Sequence, residues 1–177
     1  MTLFHEFAHT WWGNLVTPAS ADEAWMTEMI AVFMEPFFFE HKYGKIAYHE
    51  AVHRKFRDFL IGKTHGRFLE EVEFGGSKGV MMLHTLRYLI GDKDLIEFLR
   101  RVAYPDPDMN NLQKISQGRV ITTVKFESLA SEACECNLSW FFDLYRRRPE
   151  LPKLVSYDKG DKLLIEWQVP KGMEFPM

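Results

Sequence analysis

The sequence has few cysteines and no long apolar run. Its 177 residues include only two cysteines, Cys134 and Cys136, which are separated by one residue. Cysteines that close are poorly placed for a relaxed disulfide, and no second pair exists to complete a structural zinc site, so we predict free thiols at a helix end. No apolar segment reaches the roughly 20 residues that span a bilayer, and no signal peptide is recognisable. The sequence therefore predicts no membrane span and leaves the compartment open.

An excess of positive charge is also absent. The chain has 22 lysines and arginines against 25 aspartates and glutamates, which gives a formal net charge of −3. This balance predicts no electrostatic attraction to nucleic acid or to anionic membranes. Hydrophobic residues make up 46% of the chain and aromatic residues 15%, which is enough to form a hydrophobic core.

Hydrophobic periodicity predicts a mainly helical fold. Only the end of the chain differs, because residues 153–157 and 163–167 are strand-like and are joined by a turn at 158–161, as in a β-hairpin. We therefore expect a helical domain over 1–150 and a β-hairpin that begins a small β module over 151–177. The predicted helices cover 3–13, 21–41, 45–62, 77–90, 93–103, 123–136 and 138–147, and 105–122 is predicted as a connecting loop.

Two local signals predict where the second helix begins and where it ends or kinks. Ser20 and Glu23 have the spacing of a capping box, which predicts a helix start near Ala21. Pro36 cannot donate the backbone hydrogen bond of a helix interior, so the helix should end or kink there.

The segment His5-Glu6-Phe7-Ala8-His9 carries the strongest chemical signal. On a helix, residues four apart lie about 40° apart on one face, so the two imidazoles can reach one metal ion. Glu6 lies about 60° from His9 on the same arc, where its carboxylate can take a proton from metal-bound water. Two histidines with a nearby base are the arrangement of a zinc hydrolase. The alternative is a helix with two surface histidines.

Glu28 is the candidate third ligand. It falls between Trp25 and Val32, at the edge of a predicted buried stripe, where a carboxylate is costly unless it is paired or bound to a metal. The alternative is a partly exposed Glu28 paired with a lysine or arginine. Two histidines and one glutamate would leave the fourth zinc position open, which is typical of catalytic sites. His49 and His53 are also one turn apart, but no acidic residue is placed to complete a second site.

Three segments together resemble the aminopeptidase N family of zinc metallopeptidases. Residues 5–17 resemble the family's zinc signature, and Glu28 follows after the family's eighteen intervening residues. Residues 25–28 look like its W-L-N-E segment, and 77–87 resemble a later helix that opens with Y-x-K-G.

The resemblance implies a fold and a mechanism. It implies a mainly α fold, the helical C-terminal half of a thermolysin-like (gluzincin) zinc peptidase domain, followed by the short hairpin. It implies one Zn²⁺ ion held by His5, His9 and Glu28. Glu6 would activate zinc-bound water and then protonate the leaving amine, so that the N-terminal bond of a peptide substrate is hydrolysed.

The chain departs from the family near the site. Gly76 stands where the family has the tyrosine that donates a hydrogen bond to the oxyanion, and losing one such donor typically costs about 10²–10³ in rate. Thr27 and Met29 replace the family's usual Asn and Gly around the ligand glutamate, which affects the tuning of the site more than metal binding.

The family's β-rich domains and its G-x-M-E-N segment, which binds the substrate's α-amino group, have no counterpart here. We therefore expect the chain to be the C-terminal part of a catalytic domain, with the missing N-terminal β-rich domains of a longer parent as partners. Two alternatives to an aminopeptidase stay open. One is a zinc-binding or interaction module with impaired catalysis, and the other is a peptidase without preference for a free amino end.

Overall fold

The computed structural model describes residues 3–64, 76, 78–104, 119–147 and 153–169. For residues 59–64 it describes the backbone only. Within this part of the chain helices dominate, and one antiparallel hairpin follows near the C-terminal end, which confirms the predicted fold class. The chain divides into two compact units, Met1–Cys134 and Glu135–Met177. The predicted domain boundary after residue 150 stays a prediction.

The first unit is built around one long helix. Its helices are α1 (Leu3–Ala8), α2 (Trp25–Tyr43), α3 (Lys45–Thr64), α4 (Gly79–Ala103) and α5 (Thr123–Cys134). Helix α2 packs against α1, α3 and α4, while α4 also packs against α5. Burial of large apolar side chains is the main stabilising term in such a core. Fully buried members include Met26, Met29, Ile30, Phe33, Met82, Leu83, Leu86, Leu95, Phe98 and Phe126.

Helix α1 is shorter than predicted. It ends at Ala8, although the sequence predicted a helix as far as residue 13. The N–H of His9 still donates to the carbonyl of His5 (3.2 Å), but the next amides bond three residues back, with Trp11 donating to Ala8 (3.0 Å). Gly13 then adopts a φ of +148° and turns the chain away.

The capping box predicted at Ser20 is not formed. Ser20 makes no side-chain cap bond, and residues Ala21–Glu23 form a short 3₁₀ turn before α2 begins at Trp25. The carboxylate of Glu23 instead accepts the N–H of Thr123 (2.7 Å) at the start of α5. An N-terminal helix amide needs an acceptor from outside the helix, and here the acceptor comes from a residue a hundred positions away.

Helix α2 does not end at Pro36. Pro36 lies inside the helix and is buried, and α2 continues to Tyr43, where Gly44 follows with a φ of +88°. Helix α2 packs on three neighbouring helices. This packing stabilises the helix by more than it loses through the one backbone hydrogen bond that proline cannot donate.

A parallel two-stranded ribbon was missed by the sequence reading. Strand β1 (Val16–Pro18) pairs with β2 (Arg119–Ile121), with Val16 opposite Arg119. Residues 119–121 fall in the segment predicted as a loop, and 105–118 of that segment lie outside the described residues. Three-residue strands are too short for an alternating pattern to be recognised.

The predicted break between the helices at 77–90 and 93–103 is confirmed. Helix α4 runs from Gly79 to Ala103, but Gly91 has non-helical angles (φ 86°, ψ 167°) and separates two helical segments. A φ in this range is readily adopted only by glycine. The second segment buries Leu95, Phe98 and Leu99.

The second unit contains α6 (Ser139–Tyr145), β3 (Lys153–Lys159) and β4 (Lys162–Gln168). The two strands pair antiparallel, with Lys159 opposite Lys162, so that Gly160 and Asp161 form a two-residue turn. This confirms the predicted hairpin. Gly160 takes a positive φ of 69°, as such hairpin turns require.

The prediction of free thiols was wrong. Both Cys134 and Cys136 are disulfide-bonded, and since the chain has no other cysteine, they are bonded to each other. Glu135 between them has a φ of +52°. This left-handed conformation, uncommon for a residue other than glycine, reverses the chain locally, which spacing alone does not reveal.

A membrane-spanning helix is not found in the described part of the chain, since none of its helices is both long and apolar enough to cross a bilayer.

Candidate metal centre

The packing of α1 on α2 brings the three predicted ligands together. Phe4 of α1 stacks on Phe38 of α2 with ring centroids 3.5 Å apart, which places the two helices side by side. His5 and His9 then face Glu28, which lies in the first turn of α2. His5 is buried, with 3% of its surface exposed, whereas the side chain of Glu28 is 35% exposed. The cluster therefore lies at the protein surface and remains open to solvent on the side of the carboxylate.

The three side chains aim one atom each at a common point. The Nε2 atoms of His5 and His9 are 3.0 Å apart. Glu28 approaches both, with Oε1 at 3.3 Å from His9 Nε2 and Oε2 at 3.5 Å from His5 Nε2. All three ligand atoms lie within 4.8 Å of one another, and among the described residues this is the only histidine, cysteine and carboxylate cluster with that property.

The chemistry of these atoms fits a divalent metal. Two imidazole nitrogens and one carboxylate oxygen are a ligand set that zinc accepts. In the described part of the chain, Glu28 has no lysine or arginine as an ion-pair partner, so the alternative of a simple surface ion pair finds no support. Lone pairs crowded in this way repel one another unless a proton or a metal ion lies between them.

A backbone carbonyl selects the tautomer of His9. The Nδ1 of His9 lies 2.8 Å from the carbonyl oxygen of Trp12. Because a carbonyl only accepts, Nδ1 must carry the proton and donate, which leaves the lone pair on Nε2 facing the cluster. This arrangement of the outer imidazole nitrogen is what orients metal-binding histidines in proteins.

Glu6 lies on α1 directly after His5 and is exposed. An exposed carboxylate that follows a ligand on a helix can exchange protons with solvent and with a bound substrate. Within the described residues no hydrogen bond or ion pair occupies the Glu6 carboxylate, in contrast to Glu23 and Glu28.

Two positions at which the sequence departs from the family, Gly76 and Thr27, lie within the described residues. Gly76 is half-buried, and among the described residues no atom lies within 4 Å of a Cβ built there. Tyr48 bonds to His84 and Tyr104 accepts from Trp11, and in the described residues neither is bonded to the three-residue cluster. The hydroxyl of Thr27 donates to the carbonyl of Ala24 (3.0 Å), in the turn that opens α2.

A large apolar cavity lies on a different face of α1. It has a volume of about 810 Å³ and is lined by residues of α1, of the turn after it, of α2 and of α4, among them Phe4, Phe7 and Trp11, but not by Glu6 or by the three clustered residues. This cavity is therefore not the site of the predicted chemistry.

Sequence reasoning missed the contribution of Trp12 and Gly13. Their role depends on a turn after α1, whereas the sequence predicted a helix as far as residue 13. The available signal was Gly13 itself. A glycine inside a helix is about 1 kcal/mol less favourable than an alanine, so its presence four residues after a predicted ligand indicated another role for that position.

Comparison with known proteins agrees with this geometry. Residues 1–66 match the peptidase family M1 domain. The chain is 27% identical over 183 aligned residues to an aminopeptidase N of Lactococcus lactis subsp. lactis, an alignment that covers 93% of the chain and 20% of that protein. These matches support a metallopeptidase of the aminopeptidase N family.

The chain is also similar to a leucine aminopeptidase 2 of Ajellomyces capsulatus (strain NAm1 / WU24). It is 29% identical over 175 residues, covering 87% of the chain and 27% of that protein. The chain thus spans only about a fifth to a quarter of the length of these curated relatives. No solved structure matches the chain.

Proposed function

We propose that this chain carries the zinc centre of an aminopeptidase. His5, His9 and Glu28 hold one Zn²⁺ ion, and Glu6 acts as the general base. The observation that carries the proposal is the convergence of three ligand atoms within 4.8 Å, with no lysine or arginine on Glu28 in the part of the chain that the structure describes.

Each residue has a separate task in the reaction. When bound, zinc acidifies a water molecule and polarises the carbonyl of the scissile bond. The Glu6 carboxylate accepts a proton from the attacking water and then delivers it to the nitrogen of the leaving amine. His9 donates its Nδ1–H to the Trp12 carbonyl, which leaves its Nε2 lone pair free to bind the ion.

The substrate class follows from the relatives. Both are named aminopeptidases, and one is named for leucine. We extend to this chain the reaction class only, removal of N-terminal residues from peptides. A peptidase without preference for a free amino end remains the alternative within the same chemistry.

The test compares the chain with a Glu6→Gln variant. We expect both to contain about one zinc per chain, because Glu6 is not a ligand, while turnover of aminoacyl reporter substrates falls by about 10²–10⁴ in the variant. Glu50→Gln, which changes an exposed glutamate on α3, is the matched control and should keep full activity. Equal rates in all three proteins would refute the catalytic role of Glu6. An N-blocked peptide cleaved as fast as a free one would refute the exopeptidase preference.

The second candidate is a zinc-binding module with impaired catalysis. It is favoured by Gly76 and by the absence, among the described residues, of a tyrosine bonded at the cluster. Because no atom of the described residues lies within 4 Å of a Cβ built at Gly76, a larger side chain can be tested there.

Gly76→Tyr is expected to raise turnover by about 10²–10³, because the phenol would supply the missing oxyanion donor. Gly76→Phe is the matched control, since it adds the ring without the hydroxyl and should not raise turnover. A rise in both variants would show that the ring, and not the hydrogen bond, is responsible. No rise in either would favour the impaired module.

A further inference from the structure

Gly13 lies unusually close to the imidazole of His9. A Cβ atom added at Gly13 would lie 2.9 Å from His9 Nδ1, 3.1 Å from the His9 carbonyl oxygen and 3.3 Å from His9 Cβ. Carbon atoms in proteins are separated from such neighbours by about 3.5 Å or more. Gly13 also has a φ of +148°, which L residues with a side chain rarely adopt. Any other residue at this position must therefore displace the imidazole, the backbone or both.

The turn that contains Gly13 is held from several sides. The N–H of Gly13 donates to the carbonyl of Val16 (2.9 Å), and the N–H of Asn14 donates back to the carbonyl of His9 (2.9 Å). Val16 is 1% exposed and pairs with Arg119 in the β1–β2 ribbon. The backbone around Gly13 thus has little freedom to move, so an added methyl group would act mainly on His9.

Trp12 is held in place as well. Its indole N–H donates to the carbonyl of Leu99 on α4 (3.3 Å), while its own carbonyl accepts the Nδ1–H of His9 (2.8 Å). The position of that carbonyl is therefore set by a helix that contributes no ligand to the cluster. A glycine at the next position lets the imidazole approach the carbonyl without a clash.

We propose that Gly13 is a positioning residue for the metal centre. By having no side chain, it allows His9 to bond to the Trp12 carbonyl, which sets the tautomer and the ring orientation that direct His9 Nε2 towards His5 and Glu28. The inference rests on the proposed function, because it assigns to Gly13 a part in holding the metal.

The first experiment measures zinc affinity by competition with a chromophoric chelator. Gly13→Ala should weaken zinc binding about 10–100-fold, the cost typical of losing an outer partner of a ligand. Gly44→Ala is the matched control, because Gly44 also has a positive φ but has no atom within 4 Å of an added Cβ. It should lower thermal stability to a similar extent while zinc affinity stays within about twofold of wild type. Equal zinc affinity in Gly13→Ala and wild type would overturn the proposal.

The second experiment needs no variant and no metal. In the zinc-free protein at about pH 8, where histidines are neutral, ¹⁵N chemical shifts of the imidazoles report which nitrogen of His9 carries the proton. Protonation at Nδ1 is expected, and protonation at Nε2 would overturn the proposal even if Gly13→Ala failed to fold.

The two proposals fail in distinguishable ways. Wild-type protein that binds no zinc, yet shows His9 protonated at Nδ1, would refute the metal centre and keep the positioning of His9. If the wild-type protein binds zinc and Gly13→Ala binds it with equal affinity, only the role of Gly13 is refuted.

Discussion

Among the described residues of the first unit, two clusters combine histidines with carboxylates, and they differ in what faces the negative charge. In the candidate metal centre, the described residues that pair with Glu28 are the two histidines. In the second, which we call the Arg87 cluster (Glu40, Tyr48, His84, Arg87 and Asp92), a guanidinium bonds to both carboxylates. Arg87 donates to Glu40 at 2.5 Å and to the two oxygens of Asp92 at 2.7 and 2.9 Å.

The Arg87 cluster is complete without a ligand. The hydrogen bonds from Arg87 hold the pKa of Asp92 below its ordinary value. Burial lowers the pKa of His84, which shares a 2.8 Å hydrogen bond with the Tyr48 hydroxyl. Arg87 also lies over the rings of Phe37 and Tyr48, at 4.9 and 4.6 Å from their centroids. Each charged or polar group here has a partner within the protein.

The comparison shows that residue type does not decide which cluster binds a metal. Carboxylates and histidines occur in both, but only the cluster around Glu28 has its lone pairs directed at one another without a protein cation between them. A guanidinium supplies the positive charge in one case. In the other we propose that a metal ion supplies it, and the following predictions test this distinction.

The largest effect is expected from removing a carboxylate of the metal centre. Glu28→Ala should abolish stoichiometric zinc binding, a loss greater than the roughly 10–100-fold cost of removing an outer partner. Glu40→Ala in the Arg87 cluster is the matched control and should keep about one zinc per chain while lowering stability. Elemental analysis of protein purified without added metal makes the measurement. Unchanged zinc in Glu28→Ala would show that the ligand assignment is wrong.

A smaller effect, on stability and not on zinc, is expected from removing the guanidinium. Arg87→Met should lower the free energy of unfolding by about 2–4 kcal/mol, because Glu40 loses its charged partner in a partly buried place. Arg87→Lys should recover part of this loss, since lysine restores the charge but not the paired geometry. Denaturant unfolding with zinc titration alongside measures both quantities. A large fall in zinc affinity in Arg87→Met would mean that the two clusters are coupled, against the comparison above.

The smallest effect is expected where a carboxylate and its cations are exposed. Glu97 accepts hydrogen bonds from Arg100 and Arg101, and these lower the pKa of Glu97 to about 2. A carboxyl whose pKa is lowered by folding stabilises the protein above its unfolded pKa, near 4.5, and loses that contribution as the pH falls towards 2.

Water screens the attraction between Glu97 and its two arginines. Glu97→Gln should therefore lower the free energy of unfolding by only about 0.5 kcal/mol at pH 7. The difference between variant and wild type should shrink between pH 4.5 and pH 2, as measured by urea unfolding across that range. If Glu97→Gln lowers the free energy of unfolding by more than about 2 kcal/mol at pH 7, the effect exceeds the range of surface ion pairs. The interaction of Glu97 with its arginines would then be comparable to those in the Arg87 cluster.

Local features of the chain were readable from its residues. The one-turn spacing of His5 and His9, the helices on either side of Gly91, and the hairpin around Gly160 depend on neighbours in sequence. Their geometry follows from backbone periods and from the conformations open to glycine. Glu28 was a candidate ligand from its place at the edge of the predicted buried stripe, and the family resemblance supported that assignment.

Features that join distant parts of the chain were not readable. Glu23 looked like part of a local capping box, but its carboxylate accepts the N–H of Thr123. Pro36 was predicted to end or kink its helix, and α2 continues through it to Tyr43 while packing on neighbouring helices. The pairing of Val16 with Arg119 likewise joins strands too short to show a pattern.

The sequence by itself determined the four-residue spacing of His5 and His9 and supplied Glu28 as the candidate third ligand. Only the tertiary structure decided that α1 packs on α2 so that Glu28 meets them. It also decided that the turn through Gly13 brings the Trp12 carbonyl onto His9. The physical reason is that spacing along a helix follows from its fixed rise and turn per residue. The orientation of an imidazole, in contrast, depends on hydrogen bonds and on space that other segments of the chain provide.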